Sequence, residues 1–154
     1  MNEPFLHRAI ELARASVATG GGPFGAVVVR GGEVVAEGAN RVVLGCDPTA
    51  HAEVEAIRNA CRALGTHDLA GCELYASSEP CPMCAAAIHW ARVDRLVYAA
   101  SRDDAAAAGF DDELLFRDLG APPEERRVPG RRALADEGRA VFDLWRAKAD
   151  RVPY

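Results

Sequence analysis

Four side chains in two short stretches could hold and use a metal ion: Cys81 and Cys84 in "SSEPCPMC", and His51 and Glu53 in "PTAHAEV". The cysteines stand three apart where a helix is expected to begin, so both thiols share one face. A helix N-terminus carries partial positive charge and unpaired N–H groups, which favour thiolate over thiol. His51 and Glu53 open a second expected helix. Residues two apart point roughly 200° from each other on a regular helix, so both can serve one metal only if it lies off the helix end. Two such N-termini converging on one spot would offer one neutral imidazole and two thiolates. That set neutralises a divalent zinc ion and leaves its fourth tetrahedral position for water.

Glu53 then has a task. Zinc lowers the pKa of bound water to about 7, and a nearby carboxylate can take the proton as hydroxide forms. The same group can return that proton to a ring nitrogen and to a departing amine. Attack at a carbon bearing an amino group, with loss of ammonia, is hydrolytic deamination, and H-x-E followed by P-C-x-x-C is a zinc-deaminase signature. Each residue taken singly has a plainer use: packed thiols, a helix-start histidine, a first-turn acid. A closed structural zinc site would need a fourth ligand, and Cys46, Cys61 and Cys72 share no tight spacing with the others.

The elements that must position these groups follow from pattern. Leu6, Ile10, Ala13 and Val17 recur at helical spacing over 5–18, with Pro4 at a first helical position. "FGAVVVR" and "EVVAEGANRVV" are β-rich runs joined by Gly31-Gly32, a hairpin signal. "DPTAHAEVEAIRNACRALG" reads as a helix with Thr49 as N-cap and Gly65 as its stop. "CELYAS" is a strand, "PCPMCAAAIHWA" a helix entered at Pro82, and "RLVYAAS" another strand. Strand and helix in alternation predict a single mixed sheet flanked by helices. Beyond it come "DDAAAAGFDDELLFRDLG", the loop "APPEERRVPGRR" and an amphipathic helix around "DEGRAVFDLWRAKA". The 154 residues suit one domain spanning 1–154.

Composition narrows the classes. Nearly half the residues are apolar, 27% are charged, and the formal charge is −5. That balance is globular and offers no general surface for nucleic-acid phosphates. The arginines of "EERRVPGRR" follow two glutamates and read as a solvated loop. No apolar run reaches the roughly 20 residues of a membrane span, and the N-terminal stretch lacks an apolar leader core, so a cytoplasmic protein is expected. Five cysteines, an odd number, favour free thiols or a metal site over a disulfide framework.

The residues also carry a resemblance. "GGPFGAVVV", "GAN", "DPTAHAEVEAIR", "EPCPMCAAAIHWAR", "VYAA", "AGFDD" and a C-terminal tyrosine resemble the cytidine-deaminase-like superfamily, and most closely its bacterial guanine deaminases. Plant guanosine deaminases look similar through the same core. The resemblance implies a three-layer α/β/α fold and one zinc ion per subunit held by His51, Cys81 and Cys84, with Glu53 as proton shuttle. It implies that Asn40 hydrogen-bonds the ring, Phe24 lies against a purine with Trp90 close by, Asp112 faces the guanine edge or assists proton transfer, and Tyr154 closes the pocket. It further implies a homodimer in which the C-terminal segment, about 132–154, is exchanged between subunits. For Asp111 and Asp112, helix capping is the competing use. Two departures stand out: Ser78 where the family commonly has cysteine, and a tail, "ADRVPY", less basic than expected.

The leading expectation is hydrolysis of free guanine to xanthine and ammonia, with a small nucleobase as ligand and neither nucleic acid nor membrane as partner. The alternatives are deamination of guanosine, cytosine or cytidine, a triazine or a pterin, or of a tRNA adenosine. A zinc-stabilised interaction protein without turnover is the non-enzymatic one.

Overall fold

The computed structural model describes residues 3–154. They divide into two compact units, one ending at Asp112 and the other running from Glu113 to Tyr154.

In the first unit, α1 (Glu3–Ala18) leads into β1 (Gly25–Arg30) and β2 (Glu33–Ala39). Gly31 and Gly32 both have positive φ, 59° and 84°, as a two-residue turn with left-handed central residues requires. A helical turn α2 (Val42–Gly45) precedes α3 (Ala52–Leu64), β3 (Cys72–Ser78), α4 (Pro82–Trp90), β4 (Arg95–Ala100) and α5 (Arg102–Ala107). The sheet order is β2-β1-β3-β4. β1 pairs antiparallel with β2 and β3, and β4 runs parallel to β3. This is the expected mixed sheet.

Strand alternation divides the core into two layers. Val27, Val29 and Tyr75 pack with Ala9 of α1 on one face. Ala26, Val28, Leu74 and Ala76 pack with Ala52, Ala56 and Ala60 of α3 and Ile88 of α4 on the other. The three-layer α/β/α expectation holds.

Three local expectations change. The stripe that α1 buries is Ala9, Ala13 and Ser16, while Val17 is exposed. Small side chains win because α1 lies almost on the backbone of β1: a Cβ at Gly25 would stand 2.3 Å from the Ala9 carbonyl oxygen. The second β-rich run was expected to continue through Val43 but ends at Ala39. Asn40 Oδ1 accepts the Val42 N–H at 3.3 Å, and the Arg41 N–H donates to the Ala50 carbonyl at 2.9 Å, so the chain leaves the sheet there. The N-cap of α3 is His51 rather than Thr49. The Thr49 hydroxyl is turned to Asp47 Oδ1 at 2.7 Å, which takes it away from the helix.

The second unit contains α6 (Glu113–Gly120), a 3-10 turn (Pro123–Glu125) and α7 (Ala135–Ala147). The final helix is where the pattern predicted it. None of the residues 113–154 is buried.

Candidate metal centre

His51 and Cys81 are the N-caps of α3 and α4, both in extended backbone and neither using its side chain to cap. An N-cap normally spends its side chain on the first-turn N–H groups. Here the imidazole and thiol stay available beyond the helix ends. Cys84 lies one turn into α4, which Pro82 opens at the first helical position, where its missing N–H costs nothing. The sequence spacing is thereby realised as a site off two helix ends.

His51 Nδ1 stands 3.5 Å from both Cys81 Sγ and Cys84 Sγ. One donor atom from each of the three residues falls within 4.8 Å of the others. Zinc bonds of about 2.1 Å to nitrogen and 2.3 Å to sulfur, at the tetrahedral angle, separate N from S by about 3.6 Å. Both nitrogen–sulfur distances therefore fit a single zinc ion. Cys84 is fully buried, and His51 and Cys81 are half-buried, so the cluster has one accessible side.

The two thiols share protons unequally. Cys81 drops to about 4, chiefly because Cys84 donates a hydrogen bond to it, with His51 also lowering it. Cys84 moves up, through that same contact and burial. His51 is raised, first by its bond to Cys81.

Glu53, at the second position of α3, is 6% exposed, and its Oε2 lies 3.4 Å from Cys84 Sγ. Burial raises its carboxyl above the ordinary value. Gly38 lets this happen: its Cβ would stand 2.2 Å from the Ala52 carbonyl oxygen and 2.4 Å from the Ala56 nitrogen. Only glycine lets β2 meet the first turn of α3 so closely.

The remaining predicted residues are placed unevenly. Asn40 is buried, its side chain resting on Gly22, where a Cβ would come within 3.0 Å of the Asn40 amide carbon. Its side-chain carbonyl accepts the Val42 N–H. Phe24 packs against the α3 face of the core and meets Phe110 edge-on, with ring centroids 4.9 Å apart. Asp112 is an ion-pair partner of Arg102. Trp90 ends α4, roughly 9 Å of helix past Cys84, and is 67% exposed. Tyr154 ends the second unit and is exposed.

Sequence reasoning missed Glu79, Arg102 and Phe110. Glu79 Oε2 accepts the Arg102 N–H at 3.2 Å, and the Glu79 N–H donates to the Ala100 carbonyl at 2.8 Å. These bonds fix the loop that carries Cys81. The available signal was position alone: Glu79 two before Cys81, Phe110 two before Asp112. Ser78 also emerges, its buried hydroxyl lacking a protein partner.

A mixed sheet that presents His, Cys and Cys off two helix ends, with a buried glutamate against them, defines a zinc-dependent hydrolase of the deaminase kind. Residues 1–100 match the cytidine and deoxycytidylate deaminase zinc-binding region, and the chain belongs to that family. Such enzymes hydrolyse C–N bonds. Over 154 residues, 99% of each chain, it is 49% identical to guanine deaminase of Bacillus subtilis. The X-ray structure of the Bacillus subtilis guanine deaminase superposes with a TM-score of 0.96 at 50% identity, covering 99% of this chain and 98% of that one. A solved guanine deaminase of Nitrosomonas europaea gives 0.68 at 44% identity over 71% of this chain and 64% of its own. The tRNA-specific adenosine deaminase of Aquifex aeolicus is 43% identical over 98 residues, 64% of this chain and 65% of its own. No helix among the described residues is long and apolar enough to cross a membrane.

Proposed function

We propose that the protein is a cytoplasmic guanine deaminase, converting guanine and water to xanthine and ammonia. The observation that carries the chemistry is the Glu53 carboxyl buried against a three-donor cluster. The choice of guanine is supported by similarity to a guanine deaminase over 99% of the chain at 49% identity, against 64% of the chain at 43% identity for the tRNA-specific adenosine deaminase of Aquifex aeolicus.

His51, Cys81 and Cys84 would hold zinc, which when bound supplies an electrophile that makes a water nucleophilic near neutral pH. Glu53 takes one proton from the attacking water and delivers it to the neighbouring ring nitrogen, then takes the remaining hydroxyl proton and delivers it to the leaving amine. A C–O bond forms as the C–N bond breaks, and the displaced group departs as ammonia. The Asn40 amide donates to a ring acceptor. Phe24 supplies a flat apolar wall for the purine, and Asp112 accepts from the N–H-bearing edge. Trp90 and Tyr154 complete the pocket in an assembled homodimer.

We infer the homodimer from α7, where Val141, Phe142 and Trp145 recur at helical spacing and stay exposed. A second copy exchanging residues of about 132–154 would cover that stripe. The chain thus works as one deaminase domain, 1–154, completed by its partner. Mass in solution checks this: a Phe142→Glu chain should shift toward monomer, and a monomeric wild type would end the proposal.

Ammonia release from guanine, guanosine, adenine, adenosine, cytosine and cytidine tests the substrate. Guanine should be turned over at least tenfold better than the others by zinc-loaded protein. No turnover of guanine overturns this reading.

A further inference from the structure

The Arg102–Asp112 pair joins the metal loop to the substrate side of the site. Arg102 Nε and Nη2 lie 3.1 and 3.0 Å from a single oxygen, Asp112 Oδ1. Both side chains are mostly buried, 31% and 18% exposed, so the contact is less screened than a surface pair. Main-chain bonds fix where the guanidinium starts. The Arg102 N–H donates to Glu79 Oε2, two residues before Cys81, and Ser101 caps α5 through a reciprocal bond with Asp104. Phe110, two residues before Asp112, is held edge-on by Phe24, which packs against the core cluster that includes Ala52, Ala56 and Ala60 of α3. Residues 110–112 are thus tied to the loop before Cys81 through Arg102 and to the core that carries α3 through Phe24.

We propose that Arg102 is a positioning residue for the deaminase reaction: by gripping Asp112 Oδ1 it turns Oδ2 toward the substrate, where that oxygen reads an N–H donor. This rests on the reading of Asp112 as a substrate contact. An ionised carboxylate only accepts hydrogen bonds. An Asp112 oriented in this way therefore selects a ligand edge carrying ring N–H or amino groups and rejects one presenting acceptors. Rejection comes from two lone-pair groups facing each other in a dry site. Arg102 itself touches neither substrate nor metal.

The test is a double-mutant cycle on the zinc-loaded protein, with kcat and KM for guanine, zinc content and thermal midpoint read together. Arg102→Ala should lower kcat/KM by about 10- to 100-fold, the range for loss of a charge-assisted bond, mainly through KM. Zinc content should stay unchanged. Arg102→Lys should recover most of the loss, because two nitrogens on one oxygen ask for charge more than for a planar fork. In an Asp112→Asn background, removing Arg102 should have no further effect. An Arg102→Ala enzyme within twofold of wild type overturns the inference, as does an undiminished effect in the Asp112→Asn background. Zinc loss in step with activity also overturns it, since Arg102 would then only brace the Glu79 loop. Wild-type protein inactive on guanine overturns the proposed function first, and this inference with it.

Discussion

In residues 3–112, Tyr75, Leu69, Leu74, Val27 and Val28 are fully buried, whereas in residues 113–154 Phe142 is 65% exposed and Leu144 72%. The first region closes a core on both faces of its sheet and hangs the metal donors from two helix N-termini set on that core. The second folds helices with one apolar stripe and encloses none of it. The difference teaches where the chemistry can be rigid. His51, Cys81, Cys84 and Glu53 are held by elements that pack on themselves, while the order of α7 depends on what covers it.

The sharpest way to break this comparison is to remove the proton carrier from the first region. Glu53→Gln keeps the volume and the helix, so zinc content should hold while kcat falls by about 10²- to 10⁴-fold. Unchanged turnover, with zinc measured in the same sample, would leave the cluster without its catalyst.

A matched pair of glycine substitutions sharpens it next. Gly38→Ala should cost about 3 kcal/mol by overpacking and depress zinc occupancy, because the added methyl meets the Ala52 carbonyl. Gly138→Ala, in α7 with open space around it, should instead stabilise by about 0.5–1 kcal/mol through helix propensity. Denaturant midpoints of both variants decide; the same sign for both would erase the contrast.

Ser78→Ala should raise stability by about 1 kcal/mol, since a buried hydroxyl without a partner is lost. The expected rise in melting temperature is about 2–4 °C. A fall of that size would mean the hydroxyl has a partner when the enzyme is loaded.

The smallest effect concerns the rim of the first region. Arg8 donates to Glu37 from Nε at 2.6 Å and Nη2 at 2.9 Å, which holds the Glu37 carboxyl below its ordinary value of 4.5. A depressed folded value means the pair contributes fully above about pH 4.5 and is lost as pH falls through the lower folded value. Both side chains are substantially exposed, so Arg8→Ala should cost about 0.5 kcal/mol at pH 7 and nearly nothing at pH 2. Urea midpoints at the two pH values read this. An equal cost at both would assign the contact to packing.

Much of the fold was legible because its signals are local. Gly31-Gly32 marks the hairpin, Gly65 ends α3 with φ 66°, and Pro82 opens α4. The signals failed where a distant contact outweighed propensity. Val42 and Val43 favour a strand, yet the bond between the Arg41 N–H and the Ala50 carbonyl bends the chain out of the sheet. Thr49 is a good cap by type, yet Asp47 takes its hydroxyl.

Residue type and spacing alone determined which groups could hold zinc and which acid could move a proton, because two donors within one helical turn are related by helix geometry. Only the tertiary structure decided that both pairs meet, that Glu53 is buried against Cys84, and that Arg102 holds Asp112. Those relations join residues ten to more than thirty positions apart. They depend on how closely the sheet and helices approach, which Gly25 and Gly38 set through the absence of a Cβ.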